Sequence, residues 1–72
     1  MKIVWSADAL ISLTALSRAD AEQVDSAVQR WASSGEGLTL RVGNEHRLYV
    51  SSYCVLFFVD DSAIYVDGVR RR

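Results

Sequence analysis

The first half of the chain carries hydrophobic residues at helical spacing. Residues 2 to 5 are a short β-prone run, and Ser6 is a good N-cap for a helix from Ala7 to Leu16. Asp20, with Gln23 three residues later, predicts a capping box that starts a second helix. The apolar positions fall on one side of each helix: Ala9, Leu10, Leu13 and Leu16 in the first, and Ala21, Val24, Ala27, Val28 and Trp31 in the second. We therefore expect a helical hairpin, with one kinked helix as the alternative, that ends at residues 33 to 37.

After residue 37 the hydrophobic period changes to that of β-strands. Apolar and polar residues alternate over 38–42 and again over 46–50, where Arg47 and Tyr49 lie on the face opposite Leu48. Residues 53–59 are apolar on both faces, which predicts a central buried strand, and 63–69 form the last strand. The turns between these runs are Gly43-Asn44, Ser51-Ser52 and Asp60-Asp61-Ser62. The pattern predicts an α+β domain of order β-α-α-β-β-β, with two N-terminal helices on an antiparallel sheet and the first strand at an edge.

The length limits how much surface the chain can bury. Its 72 residues make one domain, 1–72, and a domain of this size buries only about 60% of its unfolded surface. One cysteine, Cys54, and one histidine, His46, exclude an internal disulfide and a tetrahedral zinc site within one chain. No phosphate loop, Ser-His-Asp order or zinc spacing is present, so we expect no metal and no cofactor. A partner chain is the expected further source of stability, either a second copy in a homodimer or a different protein.

Charge and hydropathy restrict the environment. The net charge of −1 gives the whole protein no strong attraction to nucleic acid or to an anionic membrane, although Arg70, Arg71 and Arg72 make the C-terminus basic. The longest apolar run, Val55 to Val59, is far too short to cross a bilayer, and residues 3–5 are too short for a signal peptide. With its lone thiol, the chain is expected in the cytoplasm.

The segment from Gly43 to Arg71 contains an ordered set of motifs. It reads His-Arg-Leu-Tyr-Val at 46–50, a tight turn, Tyr-Cys-Val-Leu-Phe at 53–57, an acidic turn, an apolar strand, and Arg-Arg at 70–71. This order resembles the C-terminal signature of the RelE/ParE toxins of bacterial type II toxin–antitoxin systems. The short first strand and the Ala- and Leu-rich helices are similar to the N-terminal half of that family. The resemblance implies a RelE/ParE-like fold and a toxin that acts on ribosomal mRNA or on DNA gyrase and is neutralised by an antitoxin.

The resemblance also implies roles for single residues. Arg47 matches the first basic position of the RNA-cleaving branch, and Arg71 matches the arginine near the end of the last strand. Tyr49 and Cys54 stand where that branch has basic residues, and its late tyrosine has no counterpart. RNA cleavage needs a base, an acid and cations that offset phosphorane charge. The implied activity is a metal-independent endoribonuclease with Arg47 and Arg71 as catalytic residues and an incomplete basic set. The alternative is a degenerate, non-catalytic binding or dimerisation module.

Several side chains are candidates for contacts with nucleic acid or a partner protein: Arg41, Arg47, Tyr49, Tyr53, Arg70, Arg71 and Arg72. Arginine binds phosphate and carboxylate groups, and a tyrosine ring can stack on a base, although we favour packing in the core or at its rim for Tyr49 and Tyr53. We interpret His46 as a surface residue and Cys54 as a buried, unreactive thiol. Arg47 and Arg71 are expected on one exposed surface of the sheet.

Overall fold

Two helices lie on one face of a five-stranded sheet in the computed structural model, which describes residues 1 to 72. Along the chain the elements are β1 Lys2–Trp5, α1 Ala7–Thr14, α2 Arg18–Ser34, β2 Leu38–Val42, β3 Glu45–Val50, β4 Tyr53–Val59 and β5 Ala63–Arg71. The strand order is β1-β5-β4-β3-β2, with β1 parallel to β5 and the other pairs antiparallel. The α+β class, the helical hairpin and the edge position of the first strand are confirmed. All four runs predicted as strands after residue 37 form strands, so the element order has one strand more than β-α-α-β-β-β.

Each helix is capped at its N-terminus by the hydroxyl group of a serine. The Ser6 hydroxyl accepts a hydrogen bond from the Ala9 amide at 3.0 Å, as the sequence predicts. The Ser17 hydroxyl accepts from the Asp20 amide at 3.2 Å, so α2 begins at Arg18. The predicted capping box at Asp20 is therefore wrong, because Asp20 already lies in the first turn. A carboxylate is favourable there, next to the positive end of the helix dipole.

The core lies between the helices and one face of the sheet. The largest fully buried side chains are Phe57, Leu48, Ile64, Val24, Val28, Val55 and Val66. Trp31 closes one end of this core, with its ring edge against Phe57 at a centroid distance of 4.7 Å. In α1 the core side is formed by Ala9 and Leu13, and Leu16, just after the helix, packs there too. Leu10, predicted to lie on that side, is 46% exposed. Neither helix has the length and apolar character that a membrane crossing requires.

The turn between β3 and β4 anchors the C-terminus. Ser51 has a left-handed backbone with φ of 52°, which allows the tight turn predicted at Ser51-Ser52. The backbone amide of Arg72 donates to the Ser52 carbonyl at 2.8 Å, and its guanidinium Nη1 donates to the Ser51 carbonyl at 3.1 Å. The last residue is therefore held beside β3 and β4, where it contributes to the surface described next.

Candidate binding surface on the open face of the sheet

Strand register divides the side chains of the sheet between two faces. Residues that pair across neighbouring strands share a face, and successive residues in one strand alternate. Arg47 pairs with Leu56, and Cys54 pairs with Arg70. Leu56 and Cys54 both alternate with Val55, which lies in the core beneath the helices. Arg47 and Arg70 therefore share the opposite face, which carries no helix and is called the open face below.

Arg71 lies on the helix-covered side. It pairs with Tyr53, a core residue whose hydroxyl donates to the Asp20 carboxylate at 2.7 Å, and its guanidinium carbon is 5.6 Å from the centroid of the Tyr53 ring. The expectation that Arg47 and Arg71 share one surface is thus wrong. The sheet separates the two guanidinium groups, so they are not placed to act together on one phosphate.

A β-bulge in β5 is the cause of this reversal. Val66 pairs with Phe57 and Gly68 pairs with Leu56, so Asp67 is an extra residue in β5. One extra residue inverts the facing of everything after it. The Ser6 hydroxyl donates to the Asp67 carbonyl at 3.0 Å, which fixes the bulge against the start of α1. Beyond Asp67 the shift places Arg70 on the open face and Arg71 on the helix-covered face, whereas an unbroken strand would do the reverse.

Arg47, Tyr49, Arg70 and Arg72 form an arginine cluster on the open face. The Arg72 guanidinium carbon lies 4.8 Å from the centroid of the Tyr49 ring, within the range of a cation–π contact. The Arg47 Nε donates to the Glu45 carboxylate at 3.0 Å. This hydrogen bond is the main cause that raises the pKa of Arg47 above its ordinary value. The cluster thus combines three guanidinium groups with one aromatic ring and one neighbouring carboxylate.

Cys54 lies in the same cross-strand row as Tyr49 and Arg70, but it is buried. Burial is the main cause that raises the pKa of its thiol, and the nearby Arg70 opposes this rise. A thiol with a raised pKa contains little thiolate, which is the nucleophilic form. The prediction of a buried, unreactive thiol agrees with this environment.

Exposed apolar side chains continue the open face beyond the arginine cluster. Five of the eight large hydrophobic residues that are exposed lie there, and we call them the apolar band: Leu38, Leu40, Val42, Phe58 and Tyr65. Those of β2 pair with Tyr49, Arg47 and Glu45, so the band begins directly beside the arginine cluster. An exposed apolar area with a charged margin is typical of a surface that binds another molecule.

The comparison with known proteins identifies the fold. No protein-family model and no curated protein matches the sequence. A chain in the structure of the chromosomal ParDE TA system from P. aeruginosa is 17% identical with a TM-score of 0.78, and the match covers 99% of this chain and 95% of that one. A chain of the RelB-RelE antitoxin-toxin complex from Methanococcus jannaschii is 13% identical with a TM-score of 0.78, and the match covers 96% of this chain and 89% of that one. A chain of the RelBE2 toxin-antitoxin complex from Mycobacterium tuberculosis is 17% identical with a TM-score of 0.70, and the match covers 99% of this chain and 96% of that one.

The chain has the RelE/ParE toxin fold. The sequence resemblance predicted this fold, including the hairpin of two helices and the C-terminal antiparallel strands, and the prediction is confirmed. Because the matched structures are less than a fifth identical, the similarity concerns the arrangement of the elements. The binding chemistry of this protein depends on the side chains that it places on the RelE/ParE fold.

Three of the predicted contact residues lie away from the arginine cluster. Arg41 pairs with His46 on the helix-covered face, and its Nε donates to the Gly43 carbonyl at 2.9 Å. Tyr53 is only 6% exposed, so it packs in the core, as the favoured interpretation predicts, and cannot stack on a base. Arg71 lies beside Tyr53. The RelE/ParE fold therefore brings together Arg47, Tyr49, Arg70 and Arg72, but not Arg41, Tyr53 and Arg71.

His46 belongs to the core margin and not to the surface, contrary to the prediction. Its ring stacks on Phe57 with a centroid distance of 5.1 Å and an interplanar angle of 14°, and Trp31 lies 5.7 Å away. His46 pairs with the core residue Phe57, so it lies on the helix-covered face, whereas the next residue, Arg47, points to the open face. The only imidazole of the chain therefore takes no part in the chemistry of the open face.

The open face can bind anions better than it can move protons. Guanidinium groups bind phosphate and carboxylate through paired hydrogen bonds, and three of them converge here. Beside the cluster, the remaining groups that exchange protons are the Tyr49 hydroxyl, the buried Cys54 thiol, and Glu45, which is engaged with Arg47; the Tyr65 hydroxyl lies farther away in the apolar band. The chemistry that follows from this set is recognition of a phosphodiester backbone or of an acidic peptide.

Proposed function

We propose that this protein is the toxin of a type II toxin–antitoxin module. The observation that carries the proposal is the joint presence of the RelE/ParE fold and an arginine cluster beside an exposed apolar band on one face. The three similar solved structures described above are of toxin–antitoxin systems. In this proposal the protein acts in the cytoplasm, and its open face binds both the cellular target and the antitoxin.

An antitoxin is the partner that we expect to cover the apolar band. A 72-residue domain leaves Leu38 66% exposed and Leu40 50% exposed, which is unfavourable in water. A partner segment with apolar residues over the band and carboxylates over the arginine cluster would cover both. Such a segment would also block access of an anionic target to the same guanidinium groups, which explains neutralisation as competition for one surface.

The arrangement of charges bears on the mode of action. The predicted catalytic pair for mRNA cleavage, Arg47 and Arg71, would have to lie on one side to act together, whereas the sheet separates them. Arg70 and Arg72 can supply cations in place of Arg71, and Tyr49 is the proton-transfer group nearest to them. Inhibition of gyrase by binding requires no such catalytic set. The second candidate, a non-catalytic binding module of the same fold, is favoured by the absence of an accessible general base beside the cluster.

Growth after induced expression tests the toxin assignment. Expression without an antitoxin should slow growth, and Arg47→Gln/Arg70→Gln/Arg72→Gln should restore it. Arg18→Gln/Arg30→Gln is the matched control, because both of these arginines are exposed on α2, away from the open face. Normal growth with soluble wild-type protein, or equal toxicity of the triple variant, would contradict the proposal.

In-vitro translation separates the two modes. A ribosome-dependent nuclease gives discrete cuts in the message that disappear in the Arg47→Gln/Arg70→Gln/Arg72→Gln variant. Inhibition of gyrase supercoiling with intact message supports a toxin that acts on DNA topology. If neither reaction is inhibited while the protein still binds a co-expressed antitoxin, the binding module is the correct function.

A further inference from the structure

The outer edge of β2 is the least protected part of the sheet. All five of its residues are exposed, and Leu38, Leu40 and Val42 present three apolar side chains in a row. The other edge, β1, is four residues long, begins with Lys2 and has half-buried side chains after it. Free edge strands pair with other chains unless charge, shortness or a cover prevents it. At β2 only Arg41 provides charge, so this edge is open to pairing.

The residue pattern of β2 is self-complementary. If two copies pair antiparallel about Leu40, Leu40 faces Leu40 of the second copy and Leu38 faces Val42. The three apolar side chains of each copy then lie opposite apolar side chains, all on the open face. Arg41 faces Thr39 of the second copy, so no two cations are opposed. A shift by one residue would place the apolar residues on opposite faces, which favours this register.

Charge distinguishes the second copy from an acidic partner segment at this edge. The three open-face arginines lie on β3, on β5 and at residue 72, and none of them lies on the edge strand β2. They therefore favour an acidic segment that crosses the open face and not one that pairs with β2. The edge itself offers one cation among four uncharged residues. A strand of this same sequence matches it without repulsion, and the chain net charge of −1 adds little at longer range.

We propose that β2 pairs with β2 of a second copy, so that the two sheets join into one continuous sheet with a two-fold axis at Leu40. The two arginine clusters then lie on one shared open face. One five-residue strand pair is smaller than the roughly 800 Å² per partner of a standard interface, so the dimer should be weak and concentration-dependent. A two-fold dimer of this kind does not depend on the proposed toxin function.

Disulfide trapping tests both the partner and the register. In a Cys54→Ala background, Leu40→Cys should give a covalent dimer, since directly opposed residues on paired strands have Cβ atoms about 4.5–5.5 Å apart. Leu38→Cys alone should not, because its symmetry mate would lie four residues away along the strand. A mixture of Leu38→Cys and Val42→Cys should cross-link between the two variants. Ile11→Cys, 66% exposed on α1, is the control for random collision.

Sedimentation velocity provides a measurement without new thiols. The wild-type weight-average mass should rise with concentration, and Leu40→Lys should return it to that of a monomer, whereas Ile11→Lys should not. A wild-type monomer up to about 1 mM would overturn the proposal, because a dimer with any Kd below that concentration would be populated. Cross-linking of Ile11→Cys as efficient as that of Leu40→Cys would also overturn it.

Discussion

Phe57 and Phe58 are neighbours in β4, yet they lie in different environments. Phe57 is 1% exposed among the core residues beneath the helices, and Phe58 is 39% exposed on the open face. The same division separates Tyr53 from Tyr49 and Arg71 from Arg70 across the sheet. One face therefore forms the core, and the other is the face that we propose binds a partner. Adjacent residues of identical type allow the two roles to be measured separately.

The largest difference between the faces should appear at the two phenylalanines. Phe57→Ala should lower the free energy of unfolding by about 3–5 kcal/mol, because it leaves a cavity in the core. Phe58→Ala should change it by less than about 1 kcal/mol. Urea unfolding measures both, and Phe57→Leu provides a smaller truncation if the alanine variant does not fold. Equal losses at the two positions would refute the division into faces.

The two tyrosines give the next largest difference. Tyr53→Phe removes the hydrogen bond to Asp20 and should cost about 1–2 kcal/mol, whereas Tyr49→Phe should be near neutral. The same hydrogen bond is the main cause that raises the pKa of Tyr53 above its ordinary value of 10.0. A raised pKa means that the folded state favours the protonated phenol, so its stabilisation is complete below pH 10 and lost as the pH rises further. The stability difference between wild type and Tyr53→Phe should therefore shrink in alkaline solution; a constant difference would show that the bond is not its source.

Arg70 and Arg71 should separate binding from stability. Arg71→Gln loses the contact with the Tyr53 ring and should cost about 0.5–1 kcal/mol with little effect on growth inhibition. Arg70→Gln should leave thermal unfolding unchanged and weaken growth inhibition. Melting curves and growth rates of the two variants check this. The opposite pattern would mean that Arg71, not Arg70, belongs to the functional surface.

The smallest expected effect is on the thiol of Cys54. Burial raises the pKa of this thiol, so alkylation by iodoacetamide at pH 8 should be slower in the folded protein than after unfolding in urea. Arg70 lowers the same pKa, so Arg70→Gln should slow alkylation further. Since the raised pKa favours the protonated thiol, the stabilisation from Cys54 is present below the ordinary thiol pKa and declines above it. Rapid alkylation of the folded protein would contradict the buried placement.

Hydrophobic periodicity was sufficient to predict the fold. The alternation in residues 38–59, the turns between the strands and the apolar side of α2 depend on local rules that the tertiary structure does not oppose. Two local alternatives were misjudged. Ser17 is as good an N-cap as Asp20, and it caps α2 while the Asp20 carboxylate accepts a hydrogen bond from Tyr53. Leu10 fits the helical period, but a short α1 buries a narrower stripe than that period allows.

The side chains on the open face were harder to predict, because the facing of the last residues of β5 depends on one bulge. Ile64 and Val66 are core residues at even positions, and the next is Val69 at an odd position. This change from even to odd core positions is the signal in the sequence for an extra residue near Asp67. The bulge was not predicted from it, because Gly68 has no side chain to mark a face and one sequence does not show strand pairing. The arginine cluster followed once register was known, since Arg47 and Arg72 depend on cross-strand neighbours and not on spacing along the chain.

The bulge at Asp67 lets β5 lose one residue without rearranging its charged end. Deleting Asp67 would place Gly68 directly after Val66, and these two residues already pair with consecutive residues of β4. Regular alternation would return and the residues after Gly68 would keep their present partners, so Arg70 would stay on the open face and Arg71 on the helix-covered face. The net charge would become less negative by the one aspartate that is lost. Length variants at this position therefore offer a route to proteins of the same fold that keep the arginine cluster.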